Sequence, residues 1–290
     1  MLRRVLLAGA LLSLPLSLVH AQDAASLQAR HLALREALTS NAFQRPLHLE
    51  SSESSGALKG DVYARIEQPF AVVGPALQGM DHWCELLILH QNIKRCGASA
   101  PRADEILTLH IGRKFDQPLG DTQLFKFHYR VVASKPDYLQ VLLNADAGPL
   151  GTSGYRIMLE VVALNAKQSF LHLSYAYTYG MAARVAMQGY LATTGRDKVG
   201  FSTVGGKGAG KSAYIGGTRG VVERNTMRYY LAVEAYLGAL SAPAPLRLEK
   251  RLSDWHAGVE RYPRQLHELE RSEYLEMKRR EIKRQHLPLS

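Results

Sequence analysis

Hydrophobic and polar positions alternate most regularly between Thr122 and Tyr179. Four successive runs place an apolar side chain at every second position. Because successive side chains of a strand point to opposite faces, each run predicts a strand that buries one face. The short Ser-, Pro-, Asp-, Gly- and Asn-containing connectors favour an antiparallel meander, since a parallel crossover needs about a dozen residues. The buried positions are Phe125, Phe127, Tyr129 and Val131; Leu139, Val141, Leu143 and Ala145; Ile157, Leu159, Val161 and Ala163; and Leu171, Leu173, Tyr175, Tyr177 and Tyr179.

Polar side chains occupy the other positions of these strands. Glu160 falls on the polar side of the third run, and His128 and His172 lie within the first and fourth runs. Another histidine, His110, lies in an earlier predicted strand over Glu105–Phe115. Each histidine could belong to a polar site, but a solvent-facing position is the commoner case for a half-buried sheet. We therefore expect these side chains to be exposed.

Before the meander, residues 22–43 have leucines at helical spacing, which predicts a helix. Residues 51–56 are polar and predict a loop or the ragged start of a strand. The alternation over Leu58–Ile66 predicts a strand. Two short helices are expected over Phe70–Gly79 and Asp81–His90, with Asp81 as the N-cap of the second. After the meander the spacing changes to three and four residues, which predicts helices over Met181–Ala192 and Val221–Leu240.

Residues 241–290 form a highly charged extension that begins with two prolines, Pro243 and Pro245. Gln265–Gln285 has a thin apolar stripe that permits a helix. A solvated appendage is the simpler interpretation. The alternative is a contact for an anionic surface or for another protein, since the last residues are rich in Lys and Arg.

The first 21 residues have the features of a secretory signal peptide. Arg3 and Arg4 precede an apolar stretch over Val5–Val19, and Val19–Ala21 fits a small-residue cleavage site. A retained membrane anchor is the alternative, but the apolar stretch is short for a span. We expect a periplasmic or secreted bacterial protein. Its net charge of +10 suits an anionic envelope surface or simply keeps the protein in solution, and export argues against nucleic acid as a partner.

Cys84 and Cys96 are the only cysteines. In an oxidising compartment an even pair predicts a disulfide, which would join the helix containing Trp83 to the strand that follows. The alternative is a zinc site that also uses His82 and His90, although the spacing lacks the close-set ligand pair of zinc fingers.

Residues 205–212 read Gly-Gly-Lys-Gly-Ala-Gly-Lys-Ser and match the phosphate-binding loop pattern letter for letter. The context is wrong for nucleotide binding, because Gly216, Gly217 and Gly220 interrupt the helix that should follow and no parallel βαβ unit surrounds the loop. We therefore expect no nucleotide and no other cofactor, and interpret this segment as a flexible, basic, glycine-rich loop between two helices. The alternative is that the loop gates a pocket or contacts an anionic headgroup.

The order of the predicted elements resembles the START-like, or helix-grip, superfamily over residues 47–240. The similarity lies in the Gly60–Tyr63 strand, Pro69-Phe70 at the first short helix, His82–Cys84 in the second, the meander, and the Val221–Leu240 helix. It implies an α+β fold in which a curved antiparallel sheet wraps around a long C-terminal helix. Residues 22–46 would then be an N-terminal helical segment. The insertion over residues 193–220 departs from the single unbroken helix of the family.

In that superfamily a cavity between sheet and helix holds lipids or other apolar molecules, so the resemblance implies a pocket here. The expected inner face is rich in tyrosine, and a buried hydroxyl without a partner costs about 1–3 kcal/mol. Either the tyrosines line a pocket, or their hydroxyls bond to Arg184, Arg228 or Asn225. The candidate pocket residues are Tyr129, Tyr175, Tyr177, Tyr179, Arg184, Arg228 and Tyr229.

These observations predict an exported, non-catalytic binding protein for an apolar or amphipathic, lipid-like molecule. An envelope structural or adaptor protein acting through the basic C-terminal extension is the alternative. An enzyme on the same scaffold, using His128 or His172, is a third hypothesis, but we find no catalytic constellation or metal site to support it.

Overall fold

The computed structural model describes residues 23–99, 105–148, 151–193, 195–204 and 213–285 of the 290-residue chain. Within these residues, eight strands form one antiparallel sheet in the order β1-β2-β8-β7-β6-β5-β4-β3. The strands are β1 Leu47–Ser54, β2 Ala57–Ile66, β3 Ile93–Ala98, β4 Ile106–Ile111, β5 Gln123–Lys135, β6 Tyr138–Ala147, β7 Thr152–Ala163 and β8 Ser169–Tyr179. A two-stranded hairpin, β9 Thr203–Val204 and β10 Ala213–Tyr214, stands apart from this sheet.

The helices flank the sheet on both faces. They are α1 Ala24–Ala33, α2 Arg35–Thr39, α3 Phe70–Leu77, α4 Met80–Leu87, α5 Met181–Ala192, α6 Gly217–Gly238, α7 Arg247–Glu260, α8 Pro263–Leu266 and α9 Arg271–Gln285. The predicted four-strand meander is confirmed as β5–β8, in which each strand pairs antiparallel with the next.

The predicted α+β helix-grip architecture is confirmed. The long helix α6 packs on the concave face of the curved sheet, against β1, β2 and β8. The contact is close at Gly60 of β2, where an added Cβ would lie only 2.3 Å from Thr226 Oγ1. Only a glycine allows the helix to approach the strand so closely at this point.

Two local predictions near the start of this domain were wrong. Residues 51–54, predicted as a loop or a ragged strand, belong to the regular strand β1, because Leu47 and Leu49 bury their side chains and β1 pairs with β2. Helix α4 begins one residue earlier than predicted, so that Asp81 lies in its first turn and Gly79 is the N-cap. Gly79 has a φ of +114°, a conformation that glycine adopts readily, and it turns the chain before Asp81.

The disulfide between Cys84 and Cys96 is confirmed. It joins α4 to β3 with the two Cα atoms 5.3 Å apart. The zinc alternative is therefore excluded at these cysteines. The disulfide is compatible with an extracellular location. The predicted signal peptide, residues 1–21, lies outside the described residues.

The described part of the chain contains no helix with both the length and the apolar character that a membrane crossing requires.

The interpretation of the C-terminal extension as a solvated appendage was wrong. Helix α7 packs on α6, and α9 packs on the edge strand β3. Trp255 of α7 and Tyr274 of α9 are buried and stack with ring centroids 4.8 Å apart. The many charged residues of α9 suggested an exposed helix, but two of them, Lys278 and Glu281, are buried in ion pairs.

Those buried charges form a cluster of Lys94, Lys278 and Glu281, all with fully buried side chains. Glu281 accepts hydrogen bonds from Lys94 Nζ at 2.8 Å and from Lys278 Nζ at 2.5 Å. Burial lowers the pKa of Lys278 to about 8, while Glu281 partly restores it. Because one carboxylate serves two ammonium groups, the charged face of α9 is compatible with the interior.

The convex face of the sheet is covered by α1 and α2. Leu27 of α1, Leu38 of α2 and Leu34 between the two helices form a second hydrophobic cluster with side chains of β2, β6, β7 and β8. As a result, Glu160 and His172 are 1% and 2% exposed, contrary to the prediction that they face solvent. His128 lies beyond the cover and is exposed, as predicted.

Candidate ligand-binding cavity

A cavity of about 300 Å³ lies at one end of the concave face, between β8, α5 and the first turns of α6. Ligand pockets generally have volumes of about 300–1,000 Å³, so this cavity is at the small end of that range. The described residues that line it are Leu58, Thr152, Tyr155, Tyr175, Tyr177, Tyr179, Ala183, Ala186, Met187, Tyr190, Thr218, Val221 and Asn225. We call it the tyrosine cavity.

The tyrosines of the cavity come from two adjacent strands. Tyr155 of β7 and Tyr177 of β8 stack nearly parallel, with ring centroids 5.2 Å apart. Tyr175 lies two residues before Tyr177 on the same face, and its ring centroid is 5.3 Å from that of Tyr229 on α6. The rings therefore form a continuous aromatic wall from the sheet to the helix.

The hydroxyls of this wall are buried or half-buried in an apolar setting. Tyr155 donates to Thr152 Oγ1 at 2.9 Å, whereas the hydroxyls of Tyr175 and Tyr177 form no hydrogen bond with any described residue. Burial raises the pKa of Tyr175 well above its ordinary value, and the pKa values of Tyr155 and Tyr177 are also raised by burial. These phenols therefore stay protonated, and each can donate a hydrogen bond to a bound molecule or accept one from it.

At the outer end of the cavity, Tyr179 and Thr218 are hydrogen-bonded to Glu53 of β1. Glu53 accepts from the Tyr179 hydroxyl at 2.5 Å and from Thr218 Oγ1 at 2.7 Å. The hydrogen bond to Glu53, together with burial, raises the pKa of Tyr179. The Arg184 guanidinium lies 5.7 Å from the centre of the Tyr179 ring.

The predicted pocket residues divide into two groups. Tyr175, Tyr177 and Tyr179 line the cavity, with Tyr229 behind Tyr175 and Arg184 at the rim. Tyr129 and Arg228 lie elsewhere and contact other groups.

The hydroxyl of Tyr129 accepts the backbone N–H of Gly79 at 2.9 Å, at the start of α4. The buried side chain of Arg228 bonds Glu268 at 3.1 Å and the carbonyl of Leu266 at 3.3 Å. The predicted alternative, in which arginine or Asn225 satisfies the tyrosine hydroxyls, is not seen among the described residues. That these residues bind a ligand stays a prediction.

Sequence reasoning missed the contribution of Tyr155 and of α5. Tyr155 continues the alternation of Ile157 and Leu159 toward the start of β7, and this signal could have found it. The α5 side chains that enter the cavity, Ala183, Met187 and Tyr190, recur every three or four residues. Their pattern is weak because the opposite side of α5 is also apolar, with Met181 and Val185 exposed.

The convex face contains a separate polar cluster, away from the tyrosine cavity. His172 donates from Nδ1 to Glu160 Oε2 at 3.0 Å and from Nε2 to Asp61 Oδ1 at 2.8 Å. The Tyr138 hydroxyl donates a hydrogen bond to Glu160. Lys59 pairs with Asp61 at 2.9 Å. Because both ring nitrogens of His172 are engaged and buried, this histidine holds the sheet together and does not face a substrate.

The described residues contain no group of three or more His, Cys, Asp or Glu side chains arranged to hold a metal ion. The glycine-rich segment 205–212, interpreted above as a basic loop without a nucleotide, lies outside the described residues. The strands β9 and β10 flank it in sequence.

No family model and no curated protein matches the sequence. Among solved structures, the chain is similar to a START superfamily protein from Mycobacterium smegmatis, with 13% identity, a TM-score of 0.33, and 51% of this chain and 88% of that chain covered. An aromatase/cyclase from Streptomyces sp. R1128 matches at 9% identity and a TM-score of 0.32, covering 48% and 74% of the two chains. Norcoclaurine synthase from Thalictrum flavum matches at 13% identity and a TM-score of 0.32, with 67% of this chain and 90% of that chain covered.

The START-like resemblance predicted from the sequence thus reappears among these structures. The helix-grip assignment is based on the chain's own element order and on the packing of α6 against the sheet.

Proposed function

We propose that this protein binds a neutral, largely apolar small molecule in the tyrosine cavity, without covalent chemistry. The observation that carries the proposal is an aromatic cavity of about 300 Å³ in which the hydroxyls of Tyr175 and Tyr177 have no partner among the described residues. A molecule with one or two polar groups on an apolar body would satisfy those hydroxyls while its body packs on the rings.

The chemistry of the lining supports a neutral ligand and a binding role. The described lining residues include no carboxylate, imidazole, ammonium or guanidinium group. An ionic ligand would lack a counter-charge there, and ions are costly to bury without one. The tyrosine hydroxyls, with raised pKa values, are poor bases at neutral pH.

We further propose that the protein works outside the cytoplasm. The Cys84–Cys96 disulfide supports this setting, because disulfides persist in oxidising compartments. The adaptor alternative gains less support, since three arginines of α9 are already paired with carboxylates. Arg279 pairs with Glu249 at 2.7 Å, and Arg280 and Arg284 pair with Asp116.

The test uses the full chain and a pair of tryptophan substitutions on α5. Met187→Trp places a large ring into the cavity, whereas Val185→Trp places the same ring on the exposed side of the same helix, where Val185 is 61% exposed. The probe is N-phenyl-1-naphthylamine, a neutral apolar dye whose fluorescence rises on burial. We expect wild type and Val185→Trp to bind it with similar affinity, and Met187→Trp to lose at least about tenfold.

Mass spectrometry of an organic extract of the purified protein would reveal a molecule that co-purifies with it. Equal dye binding by the two tryptophan variants, with both folded by circular dichroism, would place the dye elsewhere and contradict the proposal. Turnover of a co-purified compound by wild type but not by Tyr175→Phe would replace the binding role by an enzymatic one.

A further inference from the structure

A second cavity of about 550 Å³ shares no lining residue with the tyrosine cavity. It lies where the segment between α2 and β1 meets the junction of α7 and α8. We call it the aromatic–arginine pocket, and its described lining is Ala42, Phe43, Gln44, Arg45, Phe201, Tyr214, Arg261, Tyr262, Pro263 and Gln265.

Three rings form one side of this pocket. The ring centroid of Phe43 lies 5.6 Å from that of Phe201 and 5.8 Å from that of Tyr262. The centroids of Phe201 and Tyr262 are 5.4 Å apart and the rings meet edge to face. A fourth ring, Tyr214, carries the Arg264 guanidinium 5.0 Å above its centre. This surface suits a planar apolar group, which can stack on or abut the rings.

The charge of the pocket is positive. Arg45 and Arg261 both line it, and both pair with the same carboxylate, Glu234 of α6. Arg264 adds a third guanidinium beside Tyr214. The described lining contains no acidic side chain, so the single carboxylate of Glu234 leaves a surplus of positive charge. A guanidinium group presents two N–H donors in one plane, which suit the paired acceptor oxygens of a carboxylate or sulfonate.

Two buried polar atoms of the lining residues lack hydrogen bonds within the described part of the chain. They are Nη1 of Arg45 and the hydroxyl of Tyr262. Buried donors are almost always paired, so each unpaired one calls for an explanation. The neighbouring lining residue Gln44 has a φ of +53°, a left-handed conformation that a residue other than glycine rarely adopts and that is often found at binding sites.

We propose that the aromatic–arginine pocket is a second ligand site, specific for a small aromatic anion. Its ring packs on Phe43, Phe201 and Tyr262. Its anionic group accepts hydrogen bonds from the guanidinium of Arg261, whose side chain is 50% exposed, and Arg45 adds positive charge to the pocket lining. The tyrosine cavity selects a neutral molecule, so the two sites take different ligands.

The experiment measures binding of 2-naphthoate by isothermal titration calorimetry and uses 2-naphthylmethanol as the uncharged analogue. We expect wild type to bind 2-naphthoate, to bind the alcohol about tenfold more weakly or worse, and to lose affinity for the anion as salt is added. Arg261→Gln removes a charge from a half-exposed side chain and should weaken naphthoate binding about tenfold. Arg130→Gln, at an exposed position of β5 outside both cavities, is the matched control and should bind as wild type.

The Met187→Trp variant separates this proposal from the previous one. Blocking the tyrosine cavity should leave naphthoate binding unchanged, and Phe201→Leu should weaken it while leaving binding of N-phenyl-1-naphthylamine intact. Three outcomes would overturn the proposal. These are equal affinity for the acid and the alcohol, unchanged affinity in Arg261→Gln, and no binding at a ligand concentration of about 1 mM.

Discussion

The two faces of the central sheet are built from the same strands and follow the same alternation, but they bury different chemistry. The concave face buries tyrosines, and Tyr175 and Tyr177 have hydroxyls with no partner among the described residues. The convex face buries Asp61, Glu160 and His172, whose polar atoms bond to one another. We infer that the convex face serves stability, while the concave face keeps unpaired polar groups available for a ligand.

The largest effect is expected for His172→Leu, which tests the stabilising role of the convex face. The change leaves two buried carboxylates without their shared imidazolium donor, and breaking a buried ion pair in this way costs about 3–5 kcal/mol. Urea denaturation followed by circular dichroism measures the loss in the free energy of unfolding. His128→Leu is the control, because His128 lies on the same face beyond the cover of α1 and should change stability by less than about 0.5 kcal/mol. If His172→Leu lowers the free energy of unfolding by no more than His128→Leu, the buried bridge of His172 contributes little to stability.

A subtler test removes one hydroxyl from each face. Tyr138→Phe takes away a donor to the buried Glu160 and should destabilise the protein by about 1–3 kcal/mol. Tyr175→Phe removes a hydroxyl that has no described partner, so its free energy of unfolding should stay within about 0.5 kcal/mol of wild type. The same denaturation assay compares them. If Tyr175→Phe is as costly as Tyr138→Phe, the concave hydroxyls have a structural role after all.

The smallest perturbation is a change of pH. Burial alone would lower the pKa of His172, but its hydrogen bonds to Asp61 and Glu160 outweigh burial and raise the pKa above 6.5. Its stabilisation is therefore fully present below pH 6.5 and is lost as the pH rises through the higher folded pKa. Burial would raise the pKa of Asp61, but His172 and Lys59 lower it below 3.8, so its stabilisation is lost as the pH falls below that value.

His90 contributes with the opposite sign. Burial lowers the pKa of His90 well below 6.5, and the positive charge of Arg228 lowers it further. The unfolded chain therefore takes up this proton first, and acidification below pH 6.5 destabilises the protein through His90. An NMR titration of the imidazole signals should give a midpoint above 6.5 for His172 and well below 6.5 for His90. A His172 midpoint below 6.5 would contradict the charged bridge on the convex face.

Much of the fold could be predicted from local pattern. The meander, α5, α6 and the disulfide each depend on alternation, helical spacing or a cysteine pair within about twenty residues. The burial of Glu160 and His172 could not be predicted in this way. Alternation assigns a side chain to a face, but it does not show that α1, more than 100 residues earlier in the chain, covers that face.

The candidate site shows the same division. Tyr175, Tyr177 and Tyr179 could be placed on the inner face because β8 alternates cleanly. The position of Tyr129 could not be predicted in this way, because its side chain lies on the expected face of β5 but meets Gly79 at the start of α4 and does not line the cavity. Which part of a face lies under which helix depends on tertiary packing, and no spacing rule encodes it.

The cluster between α9 and β3 has a consequence for self-association. The last strand of an open sheet exposes free backbone groups that can pair with another copy. Here side chains of α9 occupy two such groups of β3, since Lys278 Nζ donates to the carbonyl of Ile93 at 2.8 Å and Gln285 Oε1 accepts the N–H of Cys96 at 2.7 Å. The charged C-terminal helix therefore covers part of this sheet edge and limits its pairing with another copy of the chain.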